Sequence, residues 1–150
     1  MRRAVLSDLE LVKTITQTTI SEIYPHYYPE GAVEFFLEHH SETNIAEDIR
    51  QNLVHLCIDS ERNIVGTVTI KANEICRLFV LPSCQRNGYG AELLDYAEKI
   101  ILQQHSEIVL DASLPAQTIY HKRGYQETAF HVIPAKRHDF LCYTVMKKQI

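Results

Sequence analysis

The sequence predicts one mixed α/β domain, with a central mixed sheet of about seven strands and about four helices packed against it. Hydrophobic residues switch along the chain between helical spacing and the pattern of strands. Antiparallel hairpins lie on either side of a central strand–helix–strand unit, which is typical of a mixed sheet. No repeat or linker interrupts the 150 residues, which is the usual size of a single domain spanning 1–150.

The amino-terminal part is predicted to be a short strand followed by helices. Residues 1–6 form the strand, and Ser7-Asp8-Leu9-Glu10 has the pattern of a capping box that starts a helix. Pro25 ends this helix, and residues 24–29 are predicted to be an aromatic loop. A second short helix and a third helix are predicted next. The second contains Val33, Phe36 and Leu37, and the third is capped by Ser41 and runs to about Arg50.

The middle of the chain is predicted to form three consecutive strands. Residues 53–58 and 64–70 are joined by a polar turn and form a hairpin. A third strand at 74–81 is stopped by Pro82. The loop at 83–90 leads into a helix at about 91–103, whose apolar residues recur on one face.

The carboxy-terminal part is predicted to complete the sheet. Residues 108–110 are uniformly apolar, as in a strand covered on both faces. Ser113 is a candidate cap for a helix that ends at Gly124, where glycine accepts a left-handed backbone. Two final strands are predicted at 125–133 and 140–146.

Composition excludes several classes of protein. Apolar residues make up 45% and charged residues 23% of the chain, as in ordinary globular proteins rather than disordered ones. The net charge of −4 argues against a nucleic-acid partner, which usually requires a basic face. The sequence has neither a secretory signal nor an apolar stretch long enough to span a membrane. We therefore expect no membrane association and a cytoplasmic location.

Cysteine and histidine usage agrees with that expectation. The four cysteines (Cys57, Cys76, Cys84 and Cys142) are widely spaced, which indicates free thiols in a reducing compartment. Cys84 precedes a helix, where a thiol can become reactive, but an ordinary loop cysteine fits better. His26, His39 and His40 lack the spacing of a metal site, so no metal is expected.

The segment from Leu78 to Leu94 carries the most chemical information. A strand ends at a proline, a loop contains Gly88 and Gly90, and an amphipathic helix follows at once. Unpaired N–H groups at a helix start suit a phosphate, and glycine allows close approach of a ligand. The known nucleotide motifs G-x-x-x-x-G-K-[ST] and G-x-G-x-x-G are absent. Taken alone, a plain structural turn fits these glycines equally well.

Three segments together resemble a known family. Gln85-Arg86-Asn87-Gly88-Tyr89-Gly90 matches the pattern Q/R-x-x-G-x-G/A, and the preceding strand has the form E-I-x-x-L-F-V-x-P. Residues 110–125 resemble a strand and a helix that ends A-x-x-x-Y-x-x-x-G-Y/F, and 143–148 resemble a last strand. In this order and spacing, the segments resemble the GNAT superfamily of acetyl-coenzyme A-dependent N-acetyltransferases, over residues 74–148.

The resemblance implies a co-substrate site for acetyl-CoA. The strands at 74–81 and 107–111 should be parallel and splay apart, so that the pantetheine arm lies between them beside Phe79 and Val80. The Val80 N–H should stabilise the oxyanion of the thioester carbonyl. The pyrophosphate should rest on a loop made of Gln85, Arg86, Asn87, Gly88, Tyr89, Gly90 and Ala91.

Two of these cofactor contacts have a purely structural alternative. Many family members have asparagine where this chain has Ser113, and the shorter serine either contacts the pantetheine arm or only caps its helix. Arg86 either adds charge at the phosphates or is a solvated surface arginine.

The resemblance also implies the catalytic groups. Glu74 is placed to act as the base that removes the proton of the amine, or it is simply an exposed glutamate at a strand start. Tyr120 is placed beside the sulfur as the general acid for the thiolate, or it is a packed tyrosine with a wet tip. None of the four cysteines has a recognisable histidine partner, so direct attack by the amine is expected.

The acceptor itself is not identified by the sequence. Tyr24, Tyr27 and Tyr28 lie where the variable acceptor wall of the family forms, although part of this cluster fits the core equally well. The predicted function is transfer of the acetyl group of acetyl-CoA to a primary amine of a small molecule or peptide. The alternative is a non-catalytic acyl-CoA-binding or regulatory module. A homodimer is compatible with the resemblance, but no interface can be named.

Overall fold

Seven strands form a single mixed sheet in the computed structural model, which describes residues 1–149. In chain order the strands are β1 (Arg2–Arg3), β2 (Val54–Ile58), β3 (Ile64–Lys71), β4 (Glu74–Val80), β5 (Glu107–Ala112), β6 (Gln126–Pro134) and β7 (Phe140–Gln149). Their order across the sheet is β1-β2-β3-β4-β5-β7-β6. All neighbours are antiparallel except β4 and β5. The predicted mixed α/β fold is confirmed.

Four longer helices and one short helix cover the sheet. They are α1 (Leu9–Ile23), α2 (Glu30–His39), α3 (Glu42–Arg50), α4 (Tyr89–Ile101) and the short α5 (Gln117–Lys122). The apolar stripe of α4, with Leu93 and Ala97 fully buried, packs in one core cluster. Residues of α1, α2 and α3 contribute to two further clusters that also contain β-strand residues. Helix α4 and helices α1 and α2 therefore pack in different cores.

The parallel strands β4 and β5 separate almost as soon as they meet. They pair only at Glu74 with Val109 and Ile75 with Leu110. On the other side of β4, Ile75 pairs with Ile70 while Arg77 pairs with Thr69, so Cys76 is an extra residue in the strand. Such a bulge bends and twists a strand. Beyond Cys76 the two strands diverge, which opens the predicted gap in the sheet.

The start of α1 differs from the prediction. Ser7 does not cap the helix; it lies inside a short 3₁₀ turn, Leu6–Asp8, that precedes α1. Asp8 is at the N-cap position of α1 without a capping hydrogen bond to that helix; its carboxylate instead accepts from the Val5 N–H at 2.8 Å, at the start of the 3₁₀ turn, and pairs with Arg2. The first strand is consequently shorter than residues 1–6.

The helix after β5 also starts differently. Ser113 makes no capping hydrogen bond, and a 3₁₀ turn at Leu114–Ala116 stands between it and α5. Pro115 in this turn fixes φ and has no N–H to offer a cap. By contrast, Ser41 caps α3 as predicted, accepting from the Asn44 N–H at 3.4 Å. Gly124 has φ +86°, the left-handed conformation expected after a helix.

Two further features bear on the class of protein. The helices within residues 1–149 are all too short or too polar to cross a membrane. The four cysteines are free thiols.

Candidate functional site

The gap between β4 and β5 opens into two cavities that share one wall. The α4 cavity, about 700 Å³, extends toward the start of α4 and is lined there by Gly88 and Gly90. The α2 cavity, about 410 Å³, extends toward α2 and the β6–β7 hairpin. The shared wall consists of Tyr24, Leu78, Phe79, Ser113, Ala116 and Tyr120. A ligand group in one cavity can therefore meet a ligand group in the other at this wall.

Glycine shapes the α4 cavity at the start of the helix. Gly88 has φ +91°, which a residue with a side chain rarely adopts, and it precedes the first helical residue, Tyr89. A Cβ built on Gly88 would meet nothing within 4 Å, and one on Gly90 would come only within 4.0 Å of Val80 Cγ2. The first helical N–H groups have no carbonyl partner within a helix. The cavity therefore contains an open cradle of N–H donors that suits a phosphate.

Two side chains of the loop hold its shape. Asn87 Nδ2 donates to the carbonyl oxygens of Cys84 at 3.1 Å and Gln85 at 3.3 Å. Gln85 Nε2 donates to the Val80 carbonyl at 3.1 Å and so fixes the loop to the end of β4. Arg86 has φ +64° and lines the α4 cavity. Asn87 and Gln85 thus act on the loop backbone, while Arg86 faces the cavity.

The backbone of Val80 faces the gap. Leu81 N–H donates to Val65 O at 2.9 Å, toward the β3 side. Successive residues of a strand direct their N–H groups to opposite sides, so the Val80 N–H points toward β5. The Val80 carbonyl accepts from Thr19 Oγ1 at 3.2 Å and from the Gln85 side chain. The N–H is therefore held in place as a donor directed into the gap.

Tyr120 and Tyr24 bring phenol groups to the shared wall. Both are buried, at 8% and 7% exposure. Burial raises the pKa of Tyr120, and the neighbouring Tyr24 adds to this shift, so the hydroxyl keeps its proton near neutral pH. Burial also raises the pKa of Tyr24, against a smaller opposing effect of a hydrogen bond with Ser113. Tyr120 is thus a protonated donor at the junction of the cavities.

The remaining predicted residues are distributed around the cavities. Glu74, at the start of β4, lines the α2 cavity. Tyr27 is 51% exposed and lines only the α4 cavity. Tyr28 lies outside both linings, because its hydroxyl is used structurally: it donates to Cys142 O at 3.1 Å and accepts from the Leu114 N–H at 2.8 Å. Of the predicted acceptor wall, Tyr24 alone reaches the α2 cavity.

The structure adds polar residues of the α2 cavity that the sequence analysis did not select. Arg77 and His40 line it and are buried, and Asp111 on β5 lines it as well. Arg77 could have been selected from the sequence, because it is a charged residue inside the otherwise mostly apolar strand 74–80. His40 gave no such signal, because its contact with Arg77 depends on the packing of α2 against β4. No cluster of three or more metal-binding side chains occurs in residues 1–149.

Comparison with protein families gives one match. The family model described as "Acetyltransferase (GNAT) domain" matches residues 23–150. No curated protein matches the sequence.

Comparison with solved structures shows the same fold. A GCN5-related N-acetyltransferase from Rhodopseudomonas palustris superposes with a TM-score of 0.89 at 22% identity, covering 99% of this chain and 94% of the other. PaiA N-acetyltransferase from Thermoplasma acidophilum, solved with coenzyme A, gives 0.72 at 22% identity, with 99% and 97% covered. A phosphinothricin acetyltransferase from Sinorhizobium meliloti, solved with acetyl-CoA, gives 0.74 at 15% identity, with 99% and 86% covered.

Proposed function

Since this chain belongs to the GNAT family of acetyltransferases, we propose that it transfers the acetyl group of acetyl-CoA to a primary amine. The observation that carries the proposal is the meeting of the α4 and α2 cavities at one wall, where Tyr120 provides a protonated hydroxyl. In the reaction, the amine nitrogen forms a bond to the acetyl carbon and the carbon–sulfur bond breaks. The products are the N-acetylamine and free coenzyme A.

The α4 cavity supplies the groups for acetyl-CoA as co-substrate. The open cradle at Gly88, Tyr89, Gly90 and Ala91 would hold the pyrophosphate. Arg86 would add a positive charge. The relatives solved with coenzyme A or acetyl-CoA support this assignment.

The gap would hold the pantetheine arm and the reacting carbonyl. Phe79 and Ser113 form part of its wall, and the Val80 N–H would donate to the carbonyl oxygen as negative charge develops there. The reaction needs a neutral amine, although an alkylammonium with a pKa near 10 is only about one part in a thousand neutral at pH 7. Glu74, at the far end of the α2 cavity, would accept that proton through water. Tyr120 would give its proton to the departing sulfur.

A panel of amines tests the proposal. We expect purified protein, acetyl-CoA and at least one amine to release free coenzyme A thiol together with a product heavier by one acetyl group. Binding of acetyl-CoA without thiol release for every amine would instead support a non-catalytic acyl-CoA-binding or regulatory module. The four free cysteines fit the cytoplasmic location predicted from the sequence, and their own thiols require a protein-only blank in this assay.

A further inference from the structure

A buried charged cluster forms part of the α2 cavity wall. Arg77 and Asp48 are 6% and 4% exposed. Arg77 Nη1 donates to Asp48 Oδ2 at 3.0 Å and to Thr69 Oγ1 at 3.1 Å, and Lys71 Nζ lies 2.7 Å from Asp48 Oδ1. Two cations therefore share one carboxylate. The cluster keeps one positive charge that Asp48 does not neutralise.

Arg77 also determines the tautomer of His40. Its Nε donates to His40 Nδ1 at 3.1 Å, and a guanidinium can only donate. Nδ1 must therefore be the acceptor, and the ring proton lies on Nε2. Burial, with further contributions from Arg77 and His39, lowers the pKa of His40 to about 3. The ring is neutral near pH 7, and its Nε2–H is a donor.

Two donors of this cluster are left free. Within residues 1–149, Arg77 Nη2 and His40 Nε2 have no hydrogen-bond partner. The buried side-chain atoms that lack a partner are only Thr16 Oγ1 and Thr67 Oγ1 among these residues, so both nitrogens keep accessible surface. Arg77 and His40 are each more than nine-tenths buried and line the α2 cavity. Since both residues line the α2 cavity, we assign these two free donors to its surface.

We propose that Arg77 Nη2 and His40 Nε2 bind a carboxylate of the acceptor, so that the acceptor is an amino acid rather than a simple alkylamine. This inference rests on the proposed function. A carboxylate offers an oxygen to each donor and balances the surplus charge shared by Arg77 and Lys71. A neutral alkyl group would leave both donors unpaired in the complex, which is unfavourable.

The position of Arg77 fits a small amino acid. Arg77 is two residues from Phe79 on the shared wall, which corresponds to roughly 7 Å along a strand. Among short amino acids, one with its amine on the third carbon beyond the carboxylate, such as 4-aminobutyrate, comes nearest to this length when extended. Asp111 lines the same cavity and favours an acceptor that also carries an ammonium, whereas Glu74 lies beyond Arg77 from the shared wall and is reached from the amine only through water. The cavity thus presents both signs of charge, as a zwitterionic amino acid does.

Matched acceptors test this inference. Glycine, β-alanine and 4-aminobutyrate are each compared with the corresponding primary amide, which keeps the length and removes the charge. Thiol release is measured, together with the thermal stabilisation of the coenzyme A-loaded protein by each compound. We expect at least one amino acid to exceed its amide by about 10- to 100-fold in kcat/KM or in affinity, as for a charged hydrogen-bonded pair. Equal values for every pair would overturn the inference.

Two variants test whether the preference for the amino acid over its amide arises from the charged cluster around Arg77. Arg77→Lys keeps a cation beside Asp48 but removes Nη2, so the preference for the acid over the amide should fall toward one. Arg2→Lys is the matched control, because Arg2 pairs with Asp8 at 2.7 Å and lies outside both cavities. If Arg77→Lys does not fold, Lys71→Gln removes the surplus charge at a half-exposed side chain and should lower the preference several-fold. An undiminished preference in a folded Arg77→Lys protein, or in Lys71→Gln, argues against the cluster.

The two proposals fail in different ways. Thiol release that is equally fast with acids and amides would retain acetyl transfer and reject the carboxylate site. Selective stabilisation by an amino acid without thiol release would support the carboxylate site and reject acetyl transfer.

Discussion

The Tyr120 hydroxyl is the group on which the proposed chemistry depends most directly. Tyr120→Phe keeps the ring and its edge contact with Tyr125, and removes only the donor. A proton given to the leaving sulfur acts in the transition state, so kcat should fall while the affinity for acetyl-CoA changes little. We expect a loss of roughly 10²–10⁴ in kcat, and nearer the lower value because a thiol with a pKa near 8.5 leaves fairly easily.

The measurement is kcat against pH for both proteins with an amine identified by the panel. Tyr125→Phe is the matched control, because its hydroxyl donates to Glu98 at 3.2 Å and lies outside both cavities. That variant should lose stability rather than turnover. Wild-type turnover in Tyr120→Phe would remove Tyr120 from the mechanism.

Gly88 allows a second test at the scale of one residue. In Gly88→Val, a side chain enters the open cradle of the α4 cavity, and coenzyme A binding should be lost. The left-handed backbone at this position is also strained for valine, which should lower the free energy of unfolding by about 1–2 kcal/mol. Gly124→Val carries the same strain, since Gly124 has φ +86° with open space around it, but it lies outside the cavity linings.

Calorimetry with coenzyme A distinguishes the two glycines. Both variants should lose similar stability, and only Gly88→Val should lose affinity. Unchanged affinity in folded Gly88→Val would contradict the phosphate cradle.

Among the secondary-structure elements, those with strong local signals were predicted and those set by distant contacts were not. The hairpin β2–β3, the helix after Gly88 and the cap at Ser41 follow from periodicity and capping chemistry within a few residues. Ser7 has equally good local chemistry, yet it lies inside a 3₁₀ turn before α1, and Asp8 holds that turn by pairing with Arg2 and accepting from the Val5 N–H. A local pattern cannot weigh that competing contact.

The residues of the candidate site also fall into those with a local sequence signal and those that only the fold brings together. The loop from Gln85 to Gly90 is continuous in sequence, so a motif could indicate it. The bulge at Cys76 depends on how β3 pairs with β4. The cluster of His40, Asp48 and Arg77 joins three separate elements, and only the fold brings them together.

The contact between α2 and the β6–β7 turn supplies a prediction at the scale of elements. A Cβ on Gly31 would lie 2.0 Å from the carbonyl oxygen of Lys136, which is backbone and cannot rotate away. Alanine in place of glycine normally stabilises a helix by about 0.5–1 kcal/mol. Here we expect Gly31→Ala to destabilise the protein by about 1–3 kcal/mol, as overpacking does. Urea unfolding measures the free energy of unfolding of the variant. A value equal to or above that of wild type would show that the β6–β7 turn moves to admit the methyl group without loss of stability.

At the scale of the whole molecule, the splayed sheet would let the two proposed ligands approach each other from separate cavities. The α4 cavity and the α2 cavity extend in different directions from the gap and meet only at their common wall. Tyr120 lies at this junction, and Val80 lies next to Phe79 of the shared wall and lines the α4 cavity. Arg77, two residues before Phe79 on β4, lines the α2 cavity, where we propose that it binds the carboxylate of the acceptor. The divergence of β4 and β5 is therefore the feature from which the proposed chemistry follows.

The stability of the whole molecule should also depend on its buried histidines. His40 has a pKa of about 3 in the folded protein and about 6.5 when unfolded, because burial disfavours its charged form. Below pH 6.5 His40 binds a proton in the unfolded chain but stays neutral in the folded chain. The free energy of unfolding therefore decreases as the pH falls. Partial burial of the surface residue His39 and burial of His55 lower the pKa of both rings in the same direction. Carboxylates whose pKa is lowered act only at more acidic pH; they include Asp8, Asp59, Glu98 and Glu107.

We therefore expect the free energy of unfolding to decrease between about pH 6.5 and 5, with His40 alone contributing a slope that approaches about 1.4 kcal/mol per pH unit. Urea unfolding across this range measures the slope. His40→Asn is the informative variant, because the amide oxygen can still accept from Arg77 Nε but the side chain does not titrate. Its slope should be smaller than that of wild type by the contribution of one proton. Identical slopes in the two proteins would mean that His40 takes up its proton equally readily in the folded and unfolded states, which would contradict the hydrogen bond that Nδ1 accepts from Arg77.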